Sequence, residues 1–173
     1  MAQPQKFIKL SNGRLVEEVV ESISSTSGAT DANKLIVTTG DGKIDPSLLP
    51  TGVAADTLMI VASETLSAGD FVNIWDDTGV AKVRKADASM VGKEADGFVT
   101  SAVTSGQSAL VYFEGRNSGL TSLTLGARYY LGNTPGTAVT TVPSGAGHVV
   151  QYLGRATTTT SLVFEGTDGV ILA

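Results

Sequence analysis

Few residues in this sequence have both the type and the spacing that metal binding requires. The stretch GDGKIDPSLLP, residues 40 to 50, places two acidic residues near glycines, as a calcium-binding loop does. If Gly42 takes the place of the required glycine of such a loop, Asp41 and Asp45 fall on ligand positions. The first, third and twelfth positions then fall on Val37, Thr39 and Leu48. Because valine and leucine have no side-chain oxygen, we predict no metal site here.

Residues that could catalyse a reaction are scattered and lack supporting partners. His148 is the single histidine, and no GxSxG-like stretch offers it a nucleophile. Asp76 and Asp77 in WDDTG are adjacent, so in a strand they point to opposite faces. Glu64 and Asp70 could join them in a glycosidase-like cleft, but DDTG is ordinary sequence for a hairpin turn. The chain contains no cysteine. We therefore predict no enzymatic activity, no catalytic residue and no cofactor.

The aromatic residues offer a more serious binding hypothesis, a platform on which sugar rings stack. They are Trp75, Tyr112, Tyr129, Tyr130 and Tyr152. Alternation along a strand puts one ring of the Tyr129 and Tyr130 pair inward and the other outward. At least one tyrosine is then expected at a surface or at a subunit interface. Core packing and subunit contact are the competing explanations.

Composition favours assembly over nucleic-acid or membrane binding. Charged residues are 17% of the 173 residues and hydrophobic residues are 42%. This is little charge with which to cover the surface of a monomer, so we assign the excess of apolar residues to subunit contacts. The net charge of −5 opposes phosphate binding, and the densest basic stretch is KVRK, residues 82 to 85. No run approaches the roughly 20 apolar residues that span a bilayer. The N-terminal stretch lacks the apolar core of a signal peptide, so we expect synthesis in a cytoplasm.

The elements that would position these residues are short strands. From residue 56 onward, runs rich in Val, Tyr, Phe and Thr alternate with the turn sequences SAGD, DDTG, GNTPG and PSGAG. The runs are TLMIVA, DFVNIW, VAKVRKA, GFVTSAV, SALVYFEG, ARYYLG, HVVQYLGRA, SLVFEG and GVILA. Nine short strands without an intervening helix predict an all-β domain over residues 56–173, a small β-barrel or a tulip-like β-sandwich.

Residues 1–55 have a different character and predict an extended N-terminal arm. Short apolar pieces such as FIKL and LVEEVVESI are separated by the small polar stretch SSTSGATDAN, which does not make a self-sufficient core. In LVEEVVESI the apolar residues share one helical face, yet its valines and isoleucine also suit a strand. Both conformations remain open from the sequence, with the strand or extended arm slightly favoured.

Residues 25 to 50, STSGATDANKLIVTTGDGKIDPSLLP, resemble the connecting segment of virion proteins of tailed bacteriophages. In that family an SxGAxDAxKIV stretch leads into GKIDxSLLP, and the segment lays an extended chain along a neighbour. Downstream, YYLGNTPG and VVQYLGRA are similar to the small β domain of phage capsid decoration proteins and of head or tail fibres. The resemblance covers most of the chain from about residue 25 to its end.

The resemblance implies a structural virion protein, synthesised in the bacterial host cytoplasm and located on the capsid exterior. Because the sequence has no long repetitive shaft, a compact decoration, or cement, protein of the head is favoured. It would sit as a homotrimer at the threefold sites between capsomers and bridge major capsid subunits. A head fibre, or a tail-fibre tip that binds host glycans, is the alternative. Neither nucleic acid nor membrane is an expected partner.

The residues expected to do this fall in three groups. The predicted capsid contacts are Phe7, Ile8, Leu10, Leu15, Val16, Val19, Val20 and Ile23. The arm motif of the connecting segment comprises Gly42, Ile44, Asp45, Pro46, Leu48, Leu49 and Pro50. The aromatics expected at an oligomer interface or a surface are Trp75, Tyr129, Tyr130 and Tyr152.

Overall fold

The computed structural model describes residues 5–20, 22–26, 28–32, 34–49 and 56–173. The chain divides into two compact units, residues 1–54 and residues 55–173. Within the described residues the regular elements are strands and two short 3-10 turns, so the all-β prediction is confirmed. No helix in that part of the chain is long or apolar enough to cross a lipid bilayer.

The first unit begins with a β-hairpin. Strand β1 (Gln5–Ser11) pairs antiparallel with β2 (Arg14–Val20) through seven residue pairs. Asn12 and Gly13 form the two-residue turn with φ of 50° and 74°, the left-handed conformation that a tight hairpin of this type requires. The stretch LVEEVV is therefore a strand, which the sequence had left open against a helix.

The rest of the first unit folds back on itself. Strand β3 (Ser22–Ile23) pairs in parallel with β4 (Leu35–Ile36), and 3-10 turns occupy Ala29–Asp31 and Pro46–Leu48. A hydrogen bond of 3.0 Å from the Thr26 amide to Ser47 Oγ joins the two ends of this segment. The described residues of this segment thus include a short strand in LIVTT, a turn at Gly42 and the 3-10 turn Pro46–Leu48, and the Thr26–Ser47 contact folds the segment back on itself.

Over its described residues, 56–173, the second unit contains twelve strands. They are β5 (Thr57–Ala62), β6 (Phe71–Asp77), β7 (Val80–Lys85), β8 (Gly97–Val99), β9 (Ser108–Tyr112), β10 (Gly115–Asn117), β11 (Arg128–Leu131), β12 (Ala138–Val139), β13 (Val149–Val150), β14 (Tyr152–Ala156), β15 (Leu162–Phe164) and β16 (Val170–Ile171). Each of the nine predicted runs contains a strand. The short strands β10 and β12 were not predicted, and HVVQYLGRA divides into β13 and β14.

Strands β5 to β9 close into a five-stranded barrel in the order β5-β7-β6-β8-β9. Its interior is filled by small and branched apolar side chains, because a barrel of so few strands leaves little space. They are Ile60, Ala62, Leu66, Val72, Val83, Val99, Ala109 and Val111. Each of these side chains is buried, and together they form the core of the barrel.

A five-stranded sheet, in the order β10-β15-β14-β11-β12, packs its inner face against the outside of the barrel. Three phenylalanines join the two layers. Phe71 and Phe98 are on the barrel strands β6 and β8, and Phe164 is on strand β15 of the sheet. The ring centroid of Phe71 lies 6.5 Å from that of Phe98 and 5.7 Å from that of Phe164. Tilted ring pairs at these distances stabilise a fold by more than the burial of their apolar surface alone would. The outer face of this sheet, opposite the phenylalanines, is called the outer sheet face below.

Candidate functional site

The hairpin β1–β2 presents an apolar face that nothing in the described chain covers. Leu10 lies directly opposite Leu15, and Ile8 lies on the same face two residues away. These side chains are 74% (Ile8), 70% (Leu10) and 75% (Leu15) exposed. An ion pair of 2.6 Å between Lys6 and Glu17 bounds the far end of this face. The three side chains are called the hairpin apolar face below.

Both edges of the hairpin also lack a pairing partner among the described strands, because the sheet contains β1 and β2 alone. The pair next to the turn exchanges two backbone hydrogen bonds, and the following pairs alternate. The N–H and C=O groups of Ile8 and Leu10 on β1, and of Leu15 and Glu17 on β2, therefore point outward. The hairpin can thus bind a surface through apolar side chains on one face and through backbone groups at either edge.

The hairpin has no core of its own. None of the side chains described in residues 6–49 is buried. A two-stranded sheet alone in water is at best marginally stable, because it cannot bury an apolar face. The contacts of the described residues alone therefore leave the seven-pair hairpin marginally stable at best.

The other predicted capsid contacts occupy different environments. Val16 lies on the opposite face of the hairpin and is exposed, whereas Ile23 is half-buried in β3. Phe7, Val19 and Val20 belong to β1 and β2, but their side chains are outside the described part of the structure. The strongest sequence signal for the hairpin is its turn, which the pattern of apolar residues alone does not reveal. Asn12 followed by Gly13, between FIKL and RLVEEVV, is the preferred sequence of a two-residue hairpin turn.

The arm motif forms two consecutive turns. Gly42 has φ of 76° in a tight turn, where its amide donates to the Thr39 carbonyl at 2.9 Å. Asp45 Oδ1 accepts the Ser47 amide at 2.9 Å and so caps the 3-10 turn Pro46–Leu48. Of the apolar members, Ile44 and Leu49 are exposed and Leu48 is half-buried. Pro50 lies outside the described residues.

The two acidic residues of the supposed calcium loop serve these turns. The Thr39 hydroxyl bonds the Asp41 carboxylate, and that contact is the main reason why the pKa of Asp41 is lowered. Hydrogen bonds from Ser47 lower the pKa of Asp45 in the same way. In the described chain no three His, Asp or Glu side chains are close enough to share a metal ion.

The candidate carboxylates of the second unit also hold backbone. Asp76 Oδ1 accepts the Gly79 amide at 2.8 Å, in the turn between β6 and β7, and Asp77 pairs with Lys82. Glu64 accepts the Lys85 amide at 2.8 Å. Asp70 accepts the Ser67 amide at 2.8 Å. Each carboxylate is thus occupied by a structural contact, and the DDTG sequence makes the predicted hairpin turn.

Two of the four predicted surface aromatics are not available as platforms. Tyr129 is 5% exposed and belongs to the core, where its hydroxyl accepts the Thr124 amide at 2.9 Å, so the expected surface position is wrong for this residue. Trp75 is half-buried, and the Arg84 guanidinium lies 5.0 Å from its ring centroid. The inward and outward alternation of the Tyr129 and Tyr130 pair is as predicted.

Tyr130 and Tyr152 lie on the outer sheet face. They are opposite each other on β11 and β14, with ring centroids 5.9 Å apart in an edge-to-face contact. Both rings are half-buried. Each ring therefore packs against the other and keeps part of its surface open to a partner.

His148 is a packing residue at the start of β13. Its ring lies against Gly145, where an added Cβ would come within 2.7 Å of the imidazole. Its amide donates to the Gly145 carbonyl at 3.0 Å. No serine or carboxylate bonds its buried Nδ1 in the described residues. The arrangement lacks the partners of a catalytic histidine.

Asp96, next to barrel strand β8, has a pKa that is raised in the folded protein. Partial enclosure of its carboxylate raises the pKa of Asp96, an effect that the Ile74 amide at 2.7 Å opposes and that nearby Glu94 reinforces. The folded state therefore holds this proton more tightly than the unfolded chain. The contribution of Asp96 to the free energy of unfolding accordingly falls as pH rises through the folded pKa.

The Asp96→Asn variant should lack this decrease in the free energy of unfolding, because asparagine does not ionise. Its amide oxygen can still accept the Ile74 N–H. Relative to the unsubstituted protein, its free energy of unfolding should rise with pH from the usual range of an aspartate toward neutrality. Urea unfolding over that range measures the difference directly. If both proteins respond identically to pH, the enclosure of Asp96 has no effect on stability.

The described residues form an all-β protein with a packed barrel-and-sheet unit and a hairpin whose apolar face is exposed. No family model matches this chain, and no curated protein matches it. Among solved structures the chain is similar to the N base of head fibre protein gp8.5 of bacteriophage phi29. The TM-score is 0.43 at 14% identity, over 66% of this chain and 99% of that chain. A likeness this distant leaves the assignment of function to the residues themselves.

Proposed function

We propose that this chain is a non-enzymatic structural protein of a tailed-phage virion that decorates the outer surface of the head. In this proposal it binds as a homotrimer at the threefold sites between capsomers and bridges neighbouring major capsid subunits. The observation that carries the proposal is the hairpin β1–β2, which has an uncovered apolar face, two free edges and no core among the described residues. The resemblance of residues 25 to 50 to phage connecting segments indicates the kind of surface that would cover it.

The hairpin would contact the shell in two ways. The hairpin apolar face would be buried, and burial of one leucine or isoleucine stabilises by roughly 1.5 to 3 kcal/mol. An outer edge of β1 or β2 would extend a sheet of the capsid subunit, with backbone hydrogen bonds to the outward groups. Together these contacts supply the neighbouring surface that an isolated hairpin lacks.

Three hairpins in one trimer would make attachment strong even if each contact is modest. Once one hairpin is bound, the others are held close to their sites at a high effective concentration. Bridging of separate capsid subunits by the three hairpins resists their separation under the pressure of packaged DNA. The barrel and sheet, with their packed cores, would act as the rigid body to which the hairpins are tethered through the arm motif.

Binding to heads that lack this protein tests the proposal. The full chain should saturate such heads and raise the temperature at which they release DNA, whereas a chain that begins at residue 25 should do neither. Circular dichroism of the shortened chain checks that its β domain remains folded. Equal binding and protection by the two proteins would place the anchor in the β domain and not in the hairpin.

A further inference from the structure

A row of arginines crosses the outer sheet face. Arg128 on β11 lies directly opposite Arg155 on β14, Arg155 lies opposite Val163 on β15, and Val163 lies opposite Arg116 on β10. Residues opposite one another share a face, so the three guanidinium groups project from one side of the sheet. Neighbouring strands are about 4.8 Å apart, so the row is about 15 Å long. All three arginines are exposed.

No carboxylate in the described chain neutralises this arginine row. Arg116 donates to Ser161 Oγ at 2.9 Å and Arg155 donates to the Gly126 carbonyl at 2.7 Å, both uncharged acceptors. Arg128 and Arg155 lie directly opposite each other, and like charges in such a pair destabilise a sheet. The other basic strand of this unit differs, because Lys82 and Lys85 on β7 pair with aspartates. The arginine row is therefore oriented, accessible and without a counter-ion.

The remainder of the same unit is strongly acidic. Residues 56–173 contain seven Lys or Arg and eleven Asp or Glu, and three of those seven cations belong to the arginine row. Outside the row, four cations thus accompany eleven acidic residues. Seven of the eleven acidic residues are exposed, whereas none of the four cations outside the row is, so a second copy offers the row a surface of opposite charge.

We propose that the arginine row is a self-association surface that binds the acidic surface of a second copy in a head-to-tail contact. Docking of two copies row against row would bring guanidinium groups together, so the row disfavours a two-fold contact. A head-to-tail contact uses different surfaces on each copy and can close into a ring. The inference deepens the proposed homotrimer and rests on it, but it concerns the free protein and is tested without heads.

The partially exposed rings of Tyr130 and Tyr152 lie beside the row on the same face, and they extend the contact with apolar area. Arginine and tyrosine are residues enriched in protein interfaces. A long polyanion fits less well, because Glu165 shares the outer sheet face. The Glu165 amide continues the strand ladder by donating to the Leu153 carbonyl at 2.9 Å, which keeps its side chain on the side of Val163.

The test compares Arg128→Glu with Lys93→Glu, which change the net charge equally. Arg128 is exposed and Lys93 is half-buried in a loop outside the row, and neither side chain has a hydrogen bond or ion pair in the described structure. Sedimentation velocity over a concentration series would be measured at about 0.02 M and about 0.5 M salt. Binding of each protein to heparin, as a polyanion probe, would be measured in parallel.

We expect the unsubstituted protein and Lys93→Glu to assemble equally, and assembly to weaken at high salt. Arg128→Glu should assemble about tenfold or more weakly, as loss of a charged interface contact does. Its thermal midpoint should not fall, because the introduced carboxylate would face Arg155 and replace a repulsive pair by an attractive one. This second measurement separates a lost interface from a damaged fold.

Three results would overturn the inference. One is an unsubstituted protein that stays monomeric throughout the concentration series at low salt. Another is assembly that Arg128→Glu and Lys93→Glu weaken to the same degree. The third is heparin binding that depends on Arg128 while self-association does not, which would assign the row to a polyanion. Head binding by a monomeric protein would leave the proposed virion role intact while ending this inference.

Discussion

The Gly154→Ala variant is expected to lose most of the stability of the β domain. Gly154 has φ of 146° in β14, and an added Cβ would lie 1.8 Å from the Val163 carbonyl oxygen and 2.9 Å from its carbon. Neither atom can move without breaking the pairing of β14 with β15. Backbone strain and overpacking together should cost at least about 3 kcal/mol, a large part of the total for a domain.

Gly147→Ala is the matched control for this prediction. Gly147 also has a positive φ, of 76°, but an added Cβ there meets no atom within 4 Å. Its cost should be limited to the backbone conformation, about 1 to 2 kcal/mol. Urea unfolding of the two variants measures the difference. If both lose the same free energy of unfolding, then the close approach of β14 to β15 is not what requires glycine at position 154.

The Leu10→Asp variant is expected to lose binding to phage heads with little effect on the folded β domain. Leu10 is 70% exposed in the first unit and lies opposite Leu15, so the substitution removes little packing in the described structure and none in the β domain. In the proposed complex it would instead bury a charge where a leucine contributes roughly 1.5 to 3 kcal/mol. Affinity should therefore fall at least about tenfold for each hairpin, and further for three hairpins bound together.

Leu125→Asp is the control for this variant, because Leu125 is 68% exposed but belongs to the β domain. Co-sedimentation with heads that lack this protein, over a range of protein concentrations, compares the two. Leu125→Asp should bind as the unsubstituted protein does. Equal loss in both variants, or in neither, would mean that the hairpin apolar face is not the attachment surface.

The sequence predicted the β domain well where the signals are local. The turn between β6 and β7 follows from Asp, Thr and Gly in succession, since Thr78 and Gly79 adopt φ of 56° and 88°. Alternation along β11 correctly predicted that the rings of Tyr129 and Tyr130 lie on opposite faces of the sheet. The hairpin β1–β2 carries an equally local signal in Asn12 and Gly13, so its pairing was predictable, whereas the apolar pattern of LVEEVVESI alone also fits a helix.

Features that depend on long-range pairing could not be predicted in this way. Arg116, Arg128 and Arg155 are far apart in sequence, and the order of strands in the sheet alone brings them into one row. The division of HVVQYLGRA has a similar cause, because Val149 and Val150 pair with β16 whereas the residues after Gln151 pair with β11 and β15. Conversely, the motif GDGKIDPSLLP suggested a ligand site, but its aspartates bond nearby Thr39 and Ser47.

The location of this protein in intact virions tests the central claim most directly. A small label attached after Ala173, beyond β16, can be mapped by cryo-electron microscopy of labelled particles. A decoration protein predicts label on the outer surface of the head, repeated at the threefold positions between capsomers. Label confined to the tail, to the tip of a fibre, or absent from the particle would contradict the account.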